Sequence, residues 1–371
     1  MPKKVLFVSS FIGQANTGGA VASKRNLALC QLFFPDSAID AFGFAFPGSA
    51  SIDAVILLPS YAGKLQTFLS YLLGFTGGLT YRNFIDIKKH LAAKHYSYIF
   101  LDGSLLGKLA LFLNKYYPSI TIILFCHNVE SDFFKAAAKS NKLYTFLFIK
   151  ASLAERNAIK CADRVLVFNL RDANRLVELY RIPLPLIFPI TVTDKFDPAL
   201  VQNEKTNQLQ LLFIGSSFYA NIEGIKWFCK NVMPYVNAHL HIVGNGMNNL
   251  VNELSGEKIS ITGSVDFLDP FYYKSDAVVI PIFSGSGMKV KTAEALMMGK
   301  TIFGTNEAWE GYNFSNSGGW LCNNADEFIA AINAFMNGSK LKFNFSARKL
   351  FLSQYSDFSL QQSIADFKST L

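Results

Sequence analysis

Pro281-Ile282-Phe283-Ser284-Gly285-Ser286-Gly287-Met288-Lys289-Val290-Lys291-Thr292-Ala293-Glu294-Ala295-Leu296 is the stretch that decides the fold. The apolar run 277–282 reads as a buried strand, and residues 290–298 read as the helix that follows a glycine-bearing loop. Gly285 and Gly287 let backbone amides approach a ligand closely. The helix start adds partial positive charge, and Lys289 and Lys291 add full charge. Such a loop suits a diphosphate.

Outward from this block, apolar runs and helical patterns alternate. On the C-terminal side come a strand at Thr301–Gly304 and a helix at 325–336. On the N-terminal side lie strands at Leu209–Ile214, 239–243 and Ile259–Thr262, with helices at 221–232 and 247–254 between them. The first half repeats the scheme with strands at 5–9, 98–101, 120–125 and 164–168 and helices at 20–34, 105–116, 151–161 and 172–180. Nearly continuous apolar strands alternating with helices imply parallel, doubly wound sheets. Pro183, Pro185, Pro189 and Pro198 fall in a pattern-poor segment that reads as a linker. The expected organisation is α/β: one Rossmann-like domain over 1–190, a second over 191–350, and a helical tail over 351–371 packing back on the first. In such sheets ligands bind at the carboxyl ends of the strands, so the two sets of strand ends are expected to face one cleft.

The 371 residues suffice for two domains, and a hydrophobic fraction of 50% with 17% charged residues excludes disorder. The net charge of +8 favours anionic partners, yet the basic residues are scattered and carry no nucleic-acid-binding signature. Cys30, Cys126, Cys161, Cys229 and Cys322 are dispersed, which fits reduced thiols in a cytoplasmic protein rather than disulfides or a metal site. Pro2-Lys3-Lys4 runs straight into a strand, so no signal peptide is expected, and the apolar patches at 68–75 and 143–149 are too short to span a bilayer.

Several motifs resemble those of the GT-B glycosyltransferases, in particular the retaining family 4 enzymes. Phe213-Ile214-Gly215-Ser216 with Asn221 and Gly224 is similar to the strand and donor-facing loop that open the family's second domain. His241-Ile242-Val243-Gly244 and Ile261-Thr262-Gly263-Ser264 are similar to its next two strand-end turns. The segment from Pro281 to Leu296 is similar to its most diagnostic block, and Glu307 to Gly311 to its trailing loop. In the first half, Gly18-Gly19-Ala20 resembles the N-terminal glycine loop, and Cys126-His127-Asn128-Val129-Glu130 a strand-end motif of enzymes acting on polysaccharide precursors. Two features depart from the pattern. The family's paired glutamates fall on Ser286 and Glu294, and its basic pair after the first strand of the second domain is missing, since no Arg or Lys follows Gly215 until Lys226.

The resemblance implies a hexosyltransferase that uses a nucleotide-diphosphate sugar, with retention of configuration, on a glycan or lipid-linked acceptor in cell-surface polysaccharide synthesis. It implies no cofactor, no metal and no nucleic-acid partner. Transfer leaves negative charge on the departing diphosphate, and lysines with amide dipoles stabilise it when no metal does. Lys289 or Lys291 is expected to supply that charge; the blander reading is a solvated helix face. Gly215, Ser216, Gly244, Gly263, Ser264, Gly285, Ser286, Gly287 and Met288 line the expected donor pocket, with Glu294 on the ribose hydroxyls. Gly18 and Gly19 are expected to close a loop over the donor, or else merely to end a strand. His127 is expected to face the cleft and hydrogen-bond sugar or acceptor, whereas Glu130 serves there or caps the next helix. Arg25 reads as a surface residue, and His239 with His241 as a strand pair lacking further metal ligands. Basic and aromatic residues at 65–98, or alternatively at 135–150, offer a peripheral contact with the inner membrane face. Ser286 also leaves room for a non-catalytic sugar-nucleotide-binding scaffold. A non-hydrolysing epimerase would want more carboxylates and histidines.

Overall fold

Short runs such as Val5-Leu6-Phe7-Val8 and Ile122-Ile123-Leu124-Phe125 are apolar at every position, so they are stable only where both sheet faces are covered. The computed structural model describes residues 4–14, 17–46, 49–60, 63–138, 143–201, 208–285, 287–338 and 342–371. It divides the chain into two units, Met1–Pro189 with Gln362–Leu371, and Ile190–Gln361.

The first unit holds β1 (Lys4–Ser9), β2 (Ala38–Ala45), β3 (Val55–Pro59), β4 (Tyr98–Asp102), β5 (Thr121–Cys126), β6 (Arg164–Val167) and β7 (Leu186–Ile187). All pair in parallel, in the order β3-β2-β1-β4-β5-β6-β7. β2, β3 and β7 lie outside the strands read from the sequence. β2 carries Asp40 and Gly43 and β3 ends in Pro59, which break the apolar signal, while β7 falls inside the proline-rich segment. Val8, Leu101, Leu124 and Val167 pack with Leu109, Leu113 and Leu176 of the flanking helices into one apolar core.

The second unit holds β8 (Leu209–Ile214), β9 (Ala238–Val243), β10 (Ile259–Thr262), β11 (Ala277–Ile280), β12 (Thr301–Gly304) and β13 (Trp320–Leu321), in the order β10-β9-β8-β11-β12-β13. Phe213, Val279 and Phe303 on the strands and Phe228 and Phe328 on the helices are fully buried.

The tail is not one continuous helix. A helix at Phe345–Leu350 runs into a wider turn at Phe351–Tyr355, then a tight turn at Asp357–Leu360, before the helix Gln361–Lys368. Residues 362–371 belong to the first unit, where Phe367 meets Phe33 at 4.2 Å between ring centroids.

Both sheets reverse direction beside their first strand, between β1 and β4 and between β8 and β11. Ligands of doubly wound sheets bind at the carboxyl ends of strands on either side of such a reversal.

Candidate functional site

In the second unit the reversal lies between Gly215, which follows β8, and the loop 281–289, which follows β11. The helix Val290–Met297 starts at that loop, with Lys289 as its N-cap residue. Lys291 turns back across the reversal. Its Nζ donates to Asn221 Oδ1 at 2.7 Å and stands 4.6 Å from the centroid of the Phe213 ring. Gly215 makes this placement possible: a Cβ there would lie 3.0 Å from Lys291 Nζ and 2.9 Å from Asn221 Cγ. A lysine at the second position of a later helix thus sits where the basic pair after β8 is missing.

Burial, with the like charge of Lys289, pushes the Lys291 ammonium down to about 7 against the opposing pull of Glu294. The Phe213 ring face returns part of the lost hydration, by about 1–2 kcal/mol for a desolvated cation over an aromatic ring. Burial likewise pushes the Glu294 carboxyl up to about 7, although Tyr272 and Lys291 favour its charged form. Tyr272 donates to Glu294 Oε2 at 3.3 Å. Lys289 is engaged differently: its Nζ meets Glu307 Oε1 at 2.7 Å and the Gly287 carbonyl at 2.9 Å. Glu307, in the loop after β12, therefore belongs to the site. Its only sequence signal was its place in the trailing loop.

The remaining strand ends complete a ring of turns. Gly244 has φ +149°, and a Cβ there would lie 2.0 Å from the Gly215 carbonyl oxygen, so these two loops are in backbone contact. Ser217 N donates to the Asn245 carbonyl at 2.8 Å, Ser264 Oγ to Asn245 Oδ1 at 3.2 Å, and Asn221 Nδ2 to the Ser216 carbonyl at 2.9 Å. Gly263 packs against the Asn248 side chain. Gly285 and Gly287 have φ +146° and +67°, a conformation a side chain would resist. Met288 is buried beneath the loop, and Ser286 lies outside the described residues.

His127, in the first unit, follows β5 and is buried rather than open. Its Nε2 lies 2.6 Å from Asp102 Oδ1, and Phe11, Phe125 and Phe168 surround the ring. Asp102, the fully buried last residue of β4, also receives Ser9 Oγ at 2.6 Å and Asn26 Nδ2 at 2.7 Å. Burial alone would raise this carboxyl, but His127, Ser23 and Ser9 outweigh it and hold it below its ordinary value. With Nε2 committed to Asp102, any ligand contact of His127 falls to Nδ1. Sequence reading missed Asp102, although the strand-end rule that selects His127 selects it equally.

Other expectations are corrected. Gly18 and Gly19 form neither a loop nor a strand end; they are the first residues of the helix Gly18–Phe33, capped by Thr17, whose Oγ1 accepts from Ala20 N at 3.1 Å. Arg25, read as a surface residue, is buried on the inner face of its helix, donating to the Pro189 carbonyl at 2.7 Å and Asn26 Oδ1 at 2.8 Å. Glu130 is buried at the start of the helix Glu130–Ala138, and the cap there is Glu155, which accepts from Glu130 N at 2.7 Å and Ser131 N at 3.1 Å. Burial beside Glu155 pushes the Glu130 carboxyl up to about 8. His239 and His241 bond Ser260 Oγ and Thr262 Oγ1, each at 2.9 Å. Among the described residues no group of three or more His, Cys, Asp or Glu is placed to hold a metal, and no helix is long and apolar enough to cross a membrane.

Two doubly wound parallel units with loop-borne lysines and glycines at a sheet reversal define the GT-B class of fold. Residues 208–337 match the family of glycosyl transferases group 1. The second unit thus carries the match to glycosyl transferases group 1, on a chain whose fold is of the GT-B class. Sucrose-phosphate synthase from Thermosynechococcus elongatus is similar in structure with a TM-score of 0.77, at 14% identity over 99% of this chain and 98% of that one. Anabaena HepE in complex with UDP-glucose follows at 0.70, with 13% identity over 99% and 100%. The lipopolysaccharide outer core galactosyltransferase WaaB, in its apo form, gives 0.65 with 13% identity over 99% and 100%. No curated protein sequence matches the chain.

Proposed function

We propose that the second unit binds the diphosphate of a nucleotide-diphosphate sugar at the loop 284–289 and Lys291. From there a hexosyl group passes, with retention of configuration, to a glycan or lipid-linked acceptor of cell-surface polysaccharide synthesis, at the cytoplasmic side of the membrane. The observation that carries this reading is the Lys291 ammonium, half-buried against Gly215 at the sheet reversal with its proton affinity lowered by burial. An ammonium in that state gains most from a dianion, because the diphosphate returns the favourable field that burial removed. Lys289 serves as the second cation, exchanging Glu307 for a phosphate oxygen as bond cleavage builds charge. The amides of Gly285, Gly287 and Met288 add dipoles at the helix start. Glu294 accepts the ribose hydroxyls, and the turns at Gly244, Gly263 and Ser264 receive the base. HepE has been solved with UDP-glucose and with UDP, which supports a uridine nucleotide as the first donor to test.

His127, oriented by Asp102, and the glycine start of the helix Gly18–Phe33 are assigned to the sugar and acceptor side. The test is calorimetric titration with UDP and UDP-glucose followed by a screen of donor and acceptor pairs. Wild type is expected to bind and the Lys289→Ala/Lys291→Ala double variant to bind at least about tenfold more weakly. Equal affinity in the double variant removes the phosphate site. Ser286 in place of the family's glutamate favours a second reading, a sugar-nucleotide-binding scaffold; tight binding with no turnover on any donor and acceptor pair selects it.

A further inference from the structure

The helix Lys64–Leu72 in the first unit is turned inside out. Its buried residues are Ser70 and Tyr71, while Leu65, Phe68, Leu69 and Leu72 are exposed, followed by Leu73 at 61% exposure. Contiguous exposed apolar surface of this kind marks a contact face. The patch continues onto the helix Leu143–Cys161, whose Phe146 ring lies 4.9 Å from Phe68 and whose Ile149 is 58% exposed. Two lysines clamp the join. Lys150 Nζ donates to the Leu72 carbonyl at 3.0 Å and Lys108 Nζ to the Leu73 carbonyl at 2.6 Å, so both ammoniums edge the apolar face. Residues 65–73 and 146–150, one part of each region read from the sequence as a membrane contact, thus meet in one surface.

Its charge is one-sided. No Asp or Glu occurs between Asp53 and Asp86, or between Asp132 and Glu155, whereas the described residues of those intervals carry Lys64, Arg82, Lys135 and Lys150. We infer that this face docks on an anionic lipid bilayer, with the leucines and Phe68 entering the acyl boundary and the lysines at the headgroups. A second protein copy would juxtapose the same cations, and a soluble acidic partner would leave the leucines uncovered. The inference deepens the proposed lipid-linked acceptor and rests on that reading for its purpose.

The test is flotation of the full chain with phosphatidylcholine vesicles, with and without phosphatidylglycerol. Wild type is expected to float with the anionic vesicles and to be released by salt. Leu65→Ser/Leu69→Ser/Leu72→Ser, at exposed positions, is expected to lower partitioning by about tenfold or more. Phe358→Ser, at an exposed position of the second unit, serves as control and is expected to float as wild type. Wild type that stays off anionic vesicles, or a triple variant that floats equally, overturns the inference. So does a dimer that the triple variant dissociates and that stays off vesicles. UDP affinity measured on the same proteins reports the second unit alone, so loss of the donor reading is separable from loss of this one.

Discussion

Lys291 Nζ stands 2.7 Å from Asn221 Oδ1, which pins the ammonium over the Phe213 ring and against the bare backbone of Gly215. Gly215→Ala places a methyl 3.0 Å from that nitrogen and displaces it. The same methyl lies 2.9 Å from Asn221 Cγ, a short side chain held at both ends by hydrogen bonds, so stability should fall by about 1–3 kcal/mol and UDP affinity about tenfold. Thermal melting and calorimetry on one preparation check the two halves of this expectation.

UDP-glucose affinity should depend on pH. With Lys291 lowered to about 7 in the empty site, binding a diphosphate between pH 7 and 9 requires a proton to be taken up. The pyrophosphate of UDP-glucose does not itself titrate there. Affinity should therefore be highest below pH 7 and fall above it, by up to about tenfold per pH unit. Lys291→Met should bind more weakly throughout and lose that decline.

His127→Ala removes the partner of a carboxylate that is fully buried. Breaking a buried pair from one side costs about 3–5 kcal/mol, so the first unit should melt markedly earlier. UDP binding by the second unit should persist at temperatures where both remain folded. Because the Asp102 carboxyl is held below its ordinary value, its contribution is present above about pH 4 and is lost as pH falls through the folded value.

Glu130 behaves oppositely. Its proton affinity rises to about 8 in the folded chain from an ordinary 4.5. The stabilisation from protonated Glu130 is complete below about pH 4.5 and is lost as pH rises through about 8. Glu130→Gln mimics the protonated form. Its melting temperature should exceed that of wild type by about 10 °C or more at pH 9, at about 2–4 °C per kcal/mol for a unit of this size, and match it at pH 4.

Gly244→Ala should be the most damaging single change in the second unit. It combines φ +149° with a Cβ 2.0 Å from the Gly215 carbonyl oxygen, an approach that backbone on both sides cannot relieve. A loss of about 2–4 kcal/mol is expected in denaturant titration, from strain and from the displaced turn together.

Strands with uninterrupted apolar residues, such as Leu209–Ile214 and Thr301–Gly304, were legible because burial on both faces leaves a local signature. β2, with Asp40 and Gly43, was not, since Asp40 is satisfied only by Lys94 at 2.9 Å, Tyr96 at 2.5 Å and His90 at 3.3 Å, all distant in sequence. Nor was the burial of Arg25, whose partner Pro189 lies 164 residues away and meets it only in the folded unit.

The sequence by itself determined two doubly wound sheets, the glycine-lysine loop after β11 and the residue types able to meet a diphosphate. These follow from hydrophobic pattern and backbone freedom, which are local properties. Tertiary structure alone decided that Lys291 reaches across the sheet reversal to Gly215, while Lys289 is held by Glu307. It also joined Asp102 to His127, and the two basic apolar stretches into one face. Each of those pairings spans strands or helices far apart in the chain, and side-chain charge acts through space rather than along sequence.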